Sequence, residues 1–243
     1  MKNFLKPNIL PWFTMGAGGL GLVLQGWYKA GIDAKGLLPV SHPAMALSLC
    51  LTALVLAVLC FAVRTLNPVA KYSRLFPASA ARAVGCLAAA VGILLSGIGY
   101  LKNGGGLGIA TLVSGIAAAV AMVFLAFLRL KGGRPSVVLH ALLTVFFMLF
   151  TVNNCRLWGA EPQTAEYLFP LFACVFLMLS GYRMTELDVQ KGSRRWLVFS
   201  NQAALFFCCL SLSGTNRLFY LSMIVYLALD LCSVRTGRPA EEA

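Results

Sequence analysis

Eight apolar stretches, at residues 9–28, 43–63, 83–101, 107–128, 136–154, 165–182, 196–213 and 218–234, make up most of this 243-residue chain. Each is close to the roughly 20 residues that a helix needs to cross the hydrocarbon core of a bilayer. With 59% hydrophobic residues, 12% charged residues and a mean hydropathy of +0.81, a water-soluble fold could not bury them all. Inside hydrocarbon every backbone N–H and C=O must bond within the protein, which leaves helices or a closed barrel. Barrel strands alternate apolar and polar residues. The run Ala53-Leu-Val-Leu-Ala-Val-Leu-Cys-Phe-Ala-Val63 does not alternate. The expected fold is all-α: one polytopic domain of eight transmembrane helices.

Two signals independent of hydropathy agree with these limits. Nine of the ten prolines fall between stretches or at their edges, and Pro170 lies within the first turns of its own. Trp12, Trp27, Trp158 and Trp196 all sit at predicted helix ends, where an amphipathic ring favours the headgroup boundary.

The net charge of +12 is unevenly shared. Assigning the connecting segments alternately to two sides puts 15 cations on one side and five (Lys29, Lys35, Lys102, Arg156, Arg217) on the other. The positive-inside rule then predicts both termini in the cytoplasm. The basic loops would rest against anionic lipid headgroups, so nucleic acid need not be invoked as a partner. No clean small-x-small cleavage site follows the N-terminal run, which reads as a retained helix. The lack of any N-x-[ST] sequon favours a bacterial inner membrane.

Lys71–Arg74, Lys131–Arg134 and Lys191–Arg194 recur 60 residues apart, each before a helical hairpin. Phe146-Phe147 and Phe206-Phe207 keep the same spacing. A parallel pseudo-repeat of two-helix units would produce this, as in several transporter folds. Basic loops between hairpins of similar length would also produce it. The short connections 102–106 and 214–217 should make helices 3–4 and 7–8 antiparallel neighbours.

Small residues at helical spacing mark close helix contacts. Gly85, Ala89, Gly92 and Ser96 in helix 3, with the glycines of helix 1 and Ser114, Gly115, Ala118 and Ala119 in helix 4, predict a tight group of helices 1, 3 and 4. Helices 5 to 7, rich in Phe and Leu, are expected to face lipid. Gly16-x-Gly18-x-x-Gly21 has dinucleotide-motif spacing but lies in an apolar helix without the required strand, so it reads as packing.

Apart from Glu166 at the very start of its stretch, Asp230 is the one acid inside a predicted helix, and an intramembrane carboxylate is costly enough to be a functional candidate. Its place near a helix end also allows reach to headgroups or pairing with Arg235. His140, Asn201 and Gln202 fall at similar depth, roughly 6–9 Å inside the boundary. They could line a polar cavity or proton pathway with Asp230, or bond across helices as ordinary structural groups, and the sequence favours the latter. Arg156, at the opposite rim, could guide an anionic solute or simply pair with a glutamate. Gln25, Tyr28, Tyr100 and Tyr167 read as interfacial residues. The cysteines show no metal or disulfide spacing, and no HExxH, GxSxG or P-loop occurs. The expected protein is therefore not an enzyme and holds no metal or cofactor. An ATP-driven system would need a separate ATPase subunit as partner. A small permease or transport subunit leads on these grounds, with a non-catalytic membrane scaffold second.

Overall fold

A computed structural model describes residues 9–31, 42–66, 76, 78–100, 105–159 and 167–233. Eight helices form among them: α1 (Leu10–Ala30), α2 (Pro43–Arg64), α3 (Ala80–Gly99), α4 (Gly105–Lys131), α5 (Val137–Trp158), α6 (Leu168–Asp188), α7 (Arg194–Ser211) and α8 (Arg217–Cys232). Pro11, Pro43 and Pro170 occupy first turns, where the missing N–H costs no helical bond. Five helices, α2 to α6, are long and apolar enough to cross a membrane. Glycines, Gln25 and Lys29 dilute α1, while α7 carries Arg194, Arg195, Asn201 and Gln202. The 16 residues of α8 reach only about 24 Å.

Each of α3 to α8 packs on the next, and α8 returns to pack on α3. Six helices thus close a ring, with α1 and α2 outside it against α7. The outward faces carry Leu20, Leu54, Phe61, Val113, Phe124 and Phe127, all well exposed. So continuous an apolar exterior suits contact with lipid rather than water. Trp12, Trp27 and Trp196 are at least half exposed on the same surface.

The small-residue stripe of α3 does make a close contact, but with α8. A Cβ on Gly85 would lie 3.3 Å from the Tyr226 backbone, and one on Gly92 would overlap Ser222. Ala89 and Ser96 are buried along the same face. The α1 glycines serve α7, where Gly18 meets Cys209 and Gly21 meets Leu210. The predicted group of helices 1, 3 and 4 is therefore corrected: α3 packs on α4 and α8, and α1 packs on α2 and α7. The lipid-facing assignment of helix 7 is also overturned, since 15 of its 18 residues are buried. Lipid tails are as apolar as leucine, so a Phe-rich composition cannot distinguish an inside helix from an outside one.

Helices α4 and α6 end alike. Gly132 and Gln190 take positive φ (69° and 65°), and the next residues, Gly133 and Lys191, donate backbone bonds to Leu128 and Glu186. Both closures have the six-to-one bond of a Schellman cap. These caps, and the N-cap serines Ser136 and Ser193, recur two and three residues short of the 60-residue motif spacing. The Lys71–Arg74 copy lies outside the described residues. Glutamine pays a steric penalty at positive φ that glycine avoids, so Gln190→Gly should raise stability by about 0.5–1 kcal/mol. Unfolding by SDS titration reads this directly, and a fall in midpoint would count against the cap.

Candidate functional site

The interior of the ring is built in three layers. At the end bearing most of the arginines, Asp230 of α8 is fully buried. Arg82 of α3 donates from Nε to Asp230 Oδ1 at 3.0 Å. Its Nη2 stands 2.9 Å from the same oxygen, near enough for charge pairing though not aligned as a hydrogen bond. Arg129 of α4 approaches Oδ1 at 3.2 Å with Nη1, which also donates to Cys86 Sγ at 2.9 Å. The Arg82 guanidinium lies 4.1 Å over the Phe76 ring, and that of Arg129 lies 5.4 Å over Tyr226. Two guanidiniums therefore share one carboxylate oxygen, while Oδ2 has no partner among the described residues.

Beside this triad, His140 Nδ1 of α5 meets Asp188 Oδ2 of α6 at 2.6 Å, with both side chains fully buried. The carboxylate assigns the proton to Nδ1, leaving Nε2 as the variable position. Neither His140 Nε2 nor Asp188 Oδ1 has a partner among the described residues. Further along, Ser180 of α6 donates to Asn201 Oδ1 of α7 at 2.6 Å, and Gln202 is buried, its Oε1 without a partner among the described residues.

The middle layer is aromatic. Phe219 of α8 lies 4.5 Å from Phe150 and 6.4 Å from Phe146 and Phe147, all three on α5. Every one of these rings is buried. A Cβ on Gly115 of α4 would sit 3.3 Å from the Phe146 ring, so the glycine makes room for this plug.

Beyond the plug a second polar layer appears. Tyr100 donates to Asn154 Oδ1 at 2.5 Å and accepts from Asn216 at 2.9 Å. Asn153 is fully buried with neither amide atom bonded to a described residue. The Tyr220 hydroxyl and the Cys174 thiol are 3.9 Å apart. A recess of about 40 Å³ lined by Lys29, Trp158, Tyr167, Asn216 and Tyr220 opens above them.

The four inner candidates are all buried, although their pairings differ from expectation. Asp230 binds Arg82 and Arg129; Arg235 lies outside the described residues. His140 pairs with Asp188 instead of Asp230, and Asn201 with Ser180. Asp230 is not the one acid within a helix, because α6 runs six residues past its predicted end and includes Glu186 and Asp188. Ser180, Met184, Leu187 and Asp188 continue its buried face at helical spacing, a signal visible in sequence. Arg82 and Arg129 lie one residue outside the predicted helices; the flanking Ala80-Ala81 and Leu130 are the signal that extends both. Arg156 is exposed at the far rim, its guanidinium 3.9 Å from where a Gly105 Cβ would stand. Gln25, Tyr28 and Tyr100 do not face outward: all three are buried, and Gln25 donates to Ser48 at 3.1 Å. Tyr167 stacks on Trp158 at 5.1 Å. Among the described residues no cluster of three or more His, Cys, Asp or Glu could hold a metal ion.

Compared with known protein families, with curated proteins and with solved structures, the chain finds no match.

Proposed function

We propose that this chain is a small permease of a bacterial cell membrane, with its solute path running through the ring α3–α8. In this reading all eight helices cross the bilayer, both termini are cytoplasmic, and the arginine-rich layer faces the cytoplasm. The observation that carries it is the set of buried polar atoms without partners among the described residues on both sides of an aromatic plug: Asp230 Oδ2, His140 Nε2 and Asp188 Oδ1 on one side, Asn153 on the other. Such atoms are expensive in a membrane, and a scaffold gains nothing from them that an apolar core would not supply more cheaply. A path that admits water and solute to each layer in turn gives them partners.

The charges give the path a sign. With His140 neutral, Arg82 and Arg129 balance Asp230 and Asp188. Protonating His140 leaves these five side chains with one net positive charge. An anionic solute entering with a proton keeps the layer closest to neutrality, which supports proton-coupled movement of a small anion.

Two native thiols report on the two layers: Cys86 beside Arg129 and Cys174 beside Tyr220. In variants that retain one of these as the sole cysteine, a membrane-impermeant thiosulfonate should modify Cys174 from outside and Cys86 from the cytoplasmic face of inverted vesicles. A sealed structural core leaves both unreactive until the protein is denatured. That result would reject the permease and favour the scaffold reading.

A further inference from the structure

Away from the ring interior, the basic ends of α2 and α7 enclose a cleft of about 260 Å³, lined by Cys60, Val63, Arg64, Arg195, Trp196 and Phe199. The two helices run in opposite directions, so Arg64 ends α2 where Arg195 begins α7. On each helix the apolar lining, Cys60 and Phe199, lies one turn, about 6 Å, deeper. The cleft is thus cationic at its mouth and apolar in its throat. Arg195 is fixed there by a bond from its Nε to the Leu66 carbonyl at 2.5 Å, and no described residue bonds its Nη groups. Arg64 is exposed and makes no ion pair among the described residues. No acid lines the cleft among the described residues. Glu186, an acid on neighbouring α6, is held by Arg183 at 2.7 Å. Trp196, 54% exposed, borders the opening and marks it as headgroup depth.

We infer that this cleft is a binding site for an anionic phospholipid, with the phosphodiester between Arg64 and Arg195 and the first acyl carbons against Cys60 and Phe199. A guanidinium pair matches phosphate oxygens in number and geometry, and here it meets them where water is scarce. The apolar throat is what separates this site from one for a free anion, which has no use for Phe199. A zwitterionic lipid would bring its own cation to two unpaired arginines and lose most of the attraction. The assignment needs only the membrane setting and is independent of the permease reading.

The test uses the full chain in phosphatidylcholine nanodiscs, with and without phosphatidylglycerol, followed by release into detergent and counting of retained lipids by native mass spectrometry. Wild type should retain one phosphatidylglycerol in preference to phosphatidylcholine. The double variant Arg64→Gln/Arg195→Gln should bind it roughly thirtyfold more weakly, each arginine near a membrane surface contributing about one fivefold step. Arg64→Lys/Arg195→Lys should recover part of the loss, and because it keeps both charges it separates lost binding from a damaged fold. Equal retention of both lipids, or unchanged retention in the glutamine variant, overturns the assignment. So does full competition by inorganic phosphate, which would mean a free-anion site. A dimer that the glutamine variant dissociates would instead assign the cleft to a second copy of the chain.

Discussion

Asp230→Asn should lower the stability of the folded bundle by about 3–5 kcal/mol, the cost of breaking a buried ion pair by removing one partner. The reason lies in charge count more than in the lost hydrogen bond. Asp230 offers a single oxygen to Arg82 at 3.0 Å and to Arg129 at 3.2 Å, and the triad carries one excess positive charge. Asparagine leaves the volume nearly unchanged but raises that excess to two, inside a site where Asp230 and Arg82 are no more than 1% exposed. Water screens little there, so the two guanidiniums repel at close range. Arg82→Met alone should be milder, because Arg129 keeps its carboxylate and the loss is confined to the Nε bond, the Nη2 charge pairing and the stacking on Phe76. Arg82→Met/Asp230→Asn restores the wild-type excess of one and should recover part of the single-variant loss. SDS-titration unfolding of the three variants gives the order: Asp230→Asn lowest, the double variant above it, Arg82→Met highest. An asparagine variant that unfolds at the wild-type midpoint would remove the triad as a buried ion cluster.

That triad also shows where reading the sequence stops. The all-helical character, the eight elements and most of their ends follow from apolar run length and proline placement, because hydrocarbon leaves the backbone few alternatives. Asp230, His140, Asn201 and Gln202 stand out as polar residues in apolar runs, and all four are buried. Their partners do not stand out. Arg82 and Arg129 sit one residue outside the apolar windows, where an arginine ordinarily belongs to a basic loop, and Asp188 lies beyond the last strongly apolar turn of α6. Which residue meets which depends on the order of helices around the ring, and in lipid no difference in hydrophobicity between inside and outside encodes that order. Gly85 and Gly92 show a close contact, whereas only the fold shows that the neighbour is α8. Tyr100 and Tyr28 illustrate the same limit: a tyrosine at a helix end suits a headgroup belt as well as a buried hydrogen bond, and position along the helix cannot separate the two.

Phe219→Ala should open the ring, with effects on both stability and permeability. The Phe219 ring touches Phe150 at 4.5 Å and neighbours Phe146 and Phe147, so removing it leaves a void that the helix backbones cannot close. In a water-soluble core such a truncation costs about 3–5 kcal/mol. In a bilayer the transfer part of that cost largely disappears, because the unfolded side chain also rests in hydrocarbon. The remaining cavity and contact loss amounts to about 2–3 kcal/mol. The void would join two layers that already hold unpartnered polar atoms, and water enters a cavity that offers it polar partners. Reconstituted in liposomes with an entrapped pH dye, Phe219→Ala should therefore dissipate an imposed proton gradient faster than wild type. Phe124→Ala is the matched control: the same ring is lost from α4, but from a side chain 58% exposed on the outer surface, and the gradient should hold. A folded Phe219→Ala protein that retains the gradient as long as wild type would show that the aromatic layer is not the barrier between the two polar ends, and the path through the ring would have to be abandoned.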